Sequence, residues 1–318
     1  MNGDGSAEGT GSTPPPQGDL FGLGGASLPP TSARIVKLGG EIAGSPPERP
    51  DYLHSVLCQV GLPRRRVEGT TFERTNGNAS LLIEAGKLWN GKDWLPQPLP
   101  YGTRPLLALV HLSSEAVRTK SPIVEVGHSV REFLLRLGIS TGGEEYANFG
   151  RQMRALAACR MTLGVGLETL EAKPIKRFAA WVSSKPHQRA LWPGVIELTP
   201  EFYESLADSA VPLDARALGA LKHSALALDV YSWLAHRLHR IRARAGTKLS
   251  WANLRAQFGQ EYRDPKDFKR EMTKALRAVM AVYPDARVEQ VAGGLVLMPS
   301  RSPVPKTVVQ LGPAAKRA

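Results

Sequence analysis

Phe149-Gly-Arg-Gln-Met153-Arg154 and Phe268-Lys-Arg-Glu-Met272-Thr273 share the pattern Phe-x-Arg-x-Met, and each stands at the start of a long run with helical spacing. What precedes them repeats as well. Residues 106–119 (LLALVHLSSEAVRT) and 226–241 (LALDVYSWLAHRLHRI) are apolar helical stretches. Each leads into a short extended segment, 123–126 or 247–249, and then to a serine that opens a short helix: Ser129 before VREFLLRLGI and Ser250 before WANLRAQFG. Both short helices reach a glycine, Gly138 or Gly259, before the Phe-x-Arg-x-Met helix begins. Helix, short strand, helix, turn, helix is the skeleton of a winged helix, whose third helix enters the major groove. The predicted fold is therefore α+β and helix-rich: two tandem winged-helix domains related by internal duplication, preceded by a disordered tail.

Charge points the same way. The chain of 318 residues has a formal net charge of +12 and a pI near 9.9. Its first fifty residues carry more acidic than basic side chains, so the excess sits in the remainder. A field of that size attracts polyanions, nucleic acid or an anionic membrane surface, unless it serves solubility alone. No apolar run is long enough to span a bilayer, and the N-terminus lacks the basic start and apolar core of a signal peptide, so a cytoplasmic location is expected. Cys58 and Cys159 lie far apart, without Cys-x-x-Cys partners, which argues against a disulfide scaffold or a zinc finger.

Residues 1–50 are rich in Gly, Pro, Ser and Thr and read as disordered. Within them, Asp19-Leu-Phe-Gly-Leu23 loosely resembles the short motifs by which bacterial proteins bind the replication clamp; a chance apolar cluster is the commoner origin of such a pentamer. Residues 51–100 form an approach segment, with a short helix over 51–60 and a hairpin of 79–83 with 86–89. Its run Arg64-Arg65-Arg66 reads either as a phosphate contact or as a solvated triplet. The first unit covers 101–208 and the second 209–300, with a flexible basic tail over 301–318. In the first unit Ser129 and Glu132 make a capping box, and alternating stretches between 164 and 199 suit an enlarged wing. In the second, helical patterning runs on to Arg244; Asp264 caps a helix with Pro265 at its first position, and Gly293-Gly294 turns a closing hairpin.

On that helix, Phe268, Met272, Ala275, Leu276, Val279 and Tyr283 form a stripe for the core. The opposite face carries Lys266, Arg270, Thr273, Lys274 and Arg277, with Lys269 at its edge; these are groups suited to phosphate contact and guanine readout. Arg287, just before the hairpin, joins the set. Superposing the first copy puts Arg151 at Arg270 and Arg154 at Thr273, but Ala147, Ala155 and Ala158 replace Lys266, Lys274 and Arg277. The second unit is thus expected to be the principal DNA reader. A further cluster, from His236 to Arg244, closes the long helix, where cations bind phosphate or complement the helix dipole.

Enzymatic signatures are missing. Glu84-Ala-Gly-Lys87-Leu lacks the first glycine and the hydroxyl of a phosphate loop. His236 and His239 stand three apart on a helical segment without carboxylate or cysteine partners, a poor metal site. No catalytic residue, cofactor or metal is expected.

Several long stretches resemble the plasmid-encoded RepA-type replication initiators of Gram-negative bacteria: LPYGTRPLLAL (99–109), SSEAVRTKSPIVEVGHSVREFLLRLGISTGG (113–143), RALWPGVIELTPEFYESL (189–206), VPLDARALGALKHSALALDVYSWLAHRL (211–238), SWANLRAQFGQEY (250–262) and DFKREMTKALRAVMAVYPDARVE (267–289). The resemblance implies a protein that binds repeated double-stranded sites, iterons, in a plasmid origin, helps to open adjacent DNA and recruits the host initiator and replicative helicase. It also implies a homodimer that represses the protein's own promoter or pairs origins. This chain departs from the family in its short, Ala-rich first recognition helix and in the stretch 179–186. The rival reading is a winged-helix transcriptional regulator without a replication role; it would need an effector pocket or phosphorylation domain, and neither is legible.

Overall fold

The computed structural model describes residues 30–171, 173–177 and 194–305. The pentamer at 19–23, the stretch 179–186 and residues 306–318 lie outside that range. Helix α1 (Pro30–Gly44) corrects the reading of the first fifty residues as featureless. It packs on α7 (Ala215–Leu221) and α10 (Pro265–Val282), burying Ile42 with Ile35 and Leu38 beside it. Gly39 permits the approach: a Cβ there would sit 1.9 Å from the Ala281 carbonyl oxygen.

The approach segment is woven into both units. Strand β1 (Pro50–His54) pairs antiparallel with β11 (Ala210–Asp214), so residues 51–54 are strand and only α2 (Ser55–Val60) is helix. The switch is local: the His54 ring Nδ1 accepts from the Val56 N–H and caps α2. Strand β2 (Thr71–Asn76) makes the hairpin with β3 (Ala79–Glu84), turning at Gly77, while β4 (Lys87–Trp89) pairs with β5 (Trp94–Pro96). The predicted pairing of 79–83 with 86–89 is wrong, because Gly77-Asn78 makes a two-residue turn that pairs β3 with β2, and the two residues between β3 and β4 instead lead the chain into a new sheet.

After β5, α3 (Thr103–Thr119) lies against β1 and leads to β6 (Ile123–Glu125), α4 (Val130–Arg136) and α5 (Gly143–Ala158). Ser129 Oγ accepts from the Glu132 N–H, but the Glu132 carboxylate returns to the His128 N–H, one residue earlier than in a standard capping box. Strands β7 (Arg160–Val165) and β8 (Glu168–Glu171) do not form the predicted wing: they join β2 and β3 in a sheet of order β2-β3-β7-β8. Instead, β9 (Ile175–Arg177) and β10 (Val195–Leu198) complete the unit, in the order β6-β10-β9. Helix α6 (Pro200–Ser209), capped by Thr199, then connects to β11.

Beyond α7, the second unit runs α8 (Ala225–Arg237), β12 (Thr247–Ser250), α9 (Trp251–Phe258), α10, β13 (Val288–Val291) and β14 (Gly294–Leu297), with sheet order β12-β14-β13. Helix α8 is shorter than predicted: it ends at Arg237 in a 3₁₀ turn over 238–240, and the chain turns at Gly246 into β12. In both units the last strand lies between the other two. One hydrophobic core runs through the pair, from Leu106 and Phe133 to Met272 and Leu297. The predicted tail at 301 begins as packed chain: Val304 is buried and the Tyr283 hydroxyl donates to the Arg301 carbonyl at 2.6 Å.

Candidate nucleic-acid interface

Asp264 accepts from the Lys266 N–H and Pro265 supplies the fixed φ of a first helical residue, so α10 starts sharply. Phe268, Met272, Ala275, Leu276, Val279 and Val282 are buried, together with Tyr283 at the helix end. That stripe fixes the rotation of the helix, and Lys266, Lys269, Arg270, Lys274 and Arg277 are left exposed. Thr273 is half-buried, its hydroxyl donating to the Lys269 carbonyl at 2.8 Å.

These groups are not equivalent. Arg270 is held by Asp267 at 2.7 Å and Glu271 at 3.4 Å, and the hydrogen bond to Asp267 keeps its guanidinium protonated even more firmly than usual. Lys269 Nζ rests 5.2 Å from the centre of the Trp251 ring. Among the described residues, Lys266, Lys274 and Arg277 have no carboxylate partner.

Trp251 was not singled out from the sequence, yet it organises this face. Its ring carries Lys269 of α10, and its backbone N–H donates to the Gly293 carbonyl at the tip of the β13–β14 hairpin, 3.0 Å away. The start of α9, the first half of α10 and the hairpin tip thus converge, and Ser250 caps α9 at the same place. Arg287 is not brought to this spot. It precedes Val288, whose partner Leu297 lies at the opposite end of the hairpin from Gly294.

The first copy is built differently around the same motif. Helix α5 begins at Gly143, so Phe149 stands well inside it rather than at its start, whereas Phe268 is in the first turn of α10. Its second half is covered by the approach segment: the Gly86 backbone lies against the Ala158 carbonyl, where a Cβ would come within 2.0 Å, and the buried Gln152 side chain accepts from the Tyr101 N–H at 2.8 Å. Ala155 and Ala158 are buried there, which is why lysine and arginine have no place in this copy. Arg151 is exposed; Arg154 is half-buried, and burial followed by repulsion from Arg151 lowers its basicity.

Arg64 belongs to neither reading of the arginine triplet. It is buried, with Nη1 3.0 Å from Asp229 Oδ2 on α8 and Nε 2.9 Å from Glu261 Oε2. Beside it, Arg74 is fully buried and bonds to Glu261 Oε1 at 3.0 Å and to the Val60 carbonyl at 2.9 Å. Arg65 stacks over the Tyr262 ring and Arg66 is exposed. No local pattern could have told Arg64 from Arg66, since its carboxylate partners lie more than a hundred residues away.

Among the described residues there is no cluster of histidine, cysteine and carboxylate side chains able to hold a metal ion, and no helix is long and apolar enough to cross a membrane.

Two solved structures of the protein RctB resemble this fold at 13% identity. A crystal structure of its domains 2-3 covers 76% of this chain and 94% of that one, with a TM-score of 0.46. Selenomethionine derivatives of the same two domains give 76%, 93% and 0.44. No curated protein matches the sequence. Residues 99–253, from just before α3 to the first turn of α9, match the family described as plasmid encoded RepA protein, and over that segment the chain is similar to it.

Proposed function

We propose that this protein is a non-enzymatic, cytoplasmic replication initiator of a plasmid. It binds repeated double-stranded sites at the origin through two winged-helix units that arose by duplication, promotes opening of the adjacent DNA and recruits the host initiator and replicative helicase. Binding as a dimer near its own promoter would repress its synthesis. The observation that carries the reading is that α10 exposes Lys266, Lys274 and Arg277 without carboxylate partners, while its Lys269 rests on Trp251 at the start of α9, whose backbone N–H bonds to the tip of the β13–β14 hairpin. A basic helix beside a hairpin is how a winged helix addresses a major groove and its flanking phosphates. The shared strand order of the two units supports duplication, and the match of residues 99–253 to the RepA family supports an origin as the target.

In this reading the units divide the work. Helix α10 meets the groove with a free basic face, whereas α5 is half covered and offers Arg151 at its open side. The test is footprinting of the full chain on direct repeats near its own gene at moderate salt. Protection in phase with the repeats is expected, and equal binding to scrambled DNA overturns the proposal.

A further inference from the structure

The end of α8 holds a pocket outside the interface described above. It has a volume of about 350 Å³ and is lined by His236, Arg237, Arg240 and Arg242, over the buried ring of Trp233, with Gln59 of α2 as one wall. No carboxylate lines it. Helix dipole complementation accounts for only part of this charge. The last-turn carbonyls of Ala235 and His236 are taken by His239 Nδ1 and Arg240 Nη1, which leaves Arg237 and Arg242 in excess.

Two features mark that excess as uncompensated. Arg237 Nε is buried without a hydrogen-bond partner, an expensive state for a charged donor. The His236 imidazole is driven down to about 4, by burial first and then by Arg240, His239 and Arg237. Among the described residues neither Arg237 nor Arg242 has an ion pair.

We propose that this pocket binds a phosphoryl anion, held by the guanidinium groups of Arg237, Arg240 and Arg242. Guanidinium forks match phosphate oxygens in geometry and charge, and an anion there would satisfy the stranded Arg237 donor. The phosphate comes either from the DNA backbone, which would extend the protein's footprint beyond α10, or from a free phosphorylated small molecule. The site stands whether or not α10 reads bases.

The test follows the His236 ring resonances of the full chain by NMR while inorganic phosphate is added, against chloride at equal ionic strength. A phosphate-specific shift and a rise in the His236 pKa are expected. Arg237→Gln/Arg242→Gln, which spares the capping residue Arg240, should weaken phosphate binding about tenfold, with an unchanged melting temperature as the check on folding. If the same variant also lowers the slope of log affinity for duplex against log salt by about two, the occupant is a backbone phosphate. An unchanged slope with lost phosphate binding assigns the pocket to a free phosphoryl anion. No phosphate-specific shift together with an unchanged slope overturns the proposal. Failure of the α10 reading is separable, because it would leave Lys274→Ala without effect on DNA binding while the His236 response persisted.

Discussion

Arg64 Nη1 lies 3.0 Å from Asp229 Oδ2, and this pair ties the approach segment to the central helix of the second unit with both side chains almost wholly out of water. Glu261 and Arg74 extend it into a chain of three ion pairs, largely out of water, that joins the loop after α2, β2, α8 and the turn before α10. Removing one member strands the others. Arg64→Ala should destabilise the chain by about 3–5 kcal/mol, the usual cost of leaving a buried charge unpaired, whereas Arg64→Met/Asp229→Leu should cost clearly less. Urea unfolding measures both, and equal losses would show that packing rather than charge holds the junction.

Acid titration should expose two opposed effects. Burial pushes the Asp229 carboxyl up to about 6 even with Arg64 beside it. Its folded pKa exceeds the unfolded value, so the associated stability is fully present below about pH 4 and is lost as pH rises through about 6. His54 and His111 behave oppositely: burial drives both down to about 4, so their stability is present above about 6.5 and lost as pH falls through about 4. For His54 the loss on full protonation is about 3 kcal/mol, because the buried ring must take on a charge out of water; protonation of Nδ1 also removes the acceptor for the Val56 N–H that starts α2. Stability should therefore fall from pH 6 to pH 4, and Asp229→Asn should steepen that fall. A shallower slope in the variant would contradict the assignment.

Gly39→Ala tests the docking of α1. Alanine favours an isolated helix over glycine by about 1 kcal/mol, yet here a Cβ would collide with the Ala281 carbonyl. A net destabilisation of about 1–3 kcal/mol is expected, with faster amide exchange in α1 and along the last turns of α10. Unchanged exchange would mean that the two helices part easily.

What could be read from the sequence was local. Ser129, Ser250, Asp264 and Pro265 announce helix starts within one turn of chain, and the stripe from Phe268 to Tyr283 records a single buried face, so α10 and its hairpin were placed correctly. Helix α1 was obscured because the glycines and prolines around 30–44 average into a low-complexity tail, although Gly39 serves a close helix contact. The partners of β3 and of Arg64 depend on pairings across the chain, which no window contains. The basic face was legible as a list of residues. Its inequalities were not: Arg270 is claimed by Asp267 one turn earlier, and Arg287 lies at the wrong end of its hairpin.

If α10 lies in a DNA groove, the cations without carboxylate partners should contribute most. Lys274→Ala and Arg277→Ala should each lower the slope of log affinity against log salt by about one and weaken binding to all sequences alike, as expected of phosphate contacts. Arg270→Ala must act differently, since its guanidinium has to leave Asp267 and Glu271 before it can bind DNA. If it does leave, to read a base, discrimination falls at one or two positions of the site while the salt slope barely changes. If it stays, affinity and discrimination are both preserved. Trp251→Ala separates positioning from charge: it removes no cation but frees Lys269 from the ring that holds it beside the hairpin tip. Affinity should drop with the salt slope nearly intact, measured by fluorescence anisotropy across a salt series, and a full unit of lost slope would instead make Lys269 itself a phosphate contact that depends on the ring.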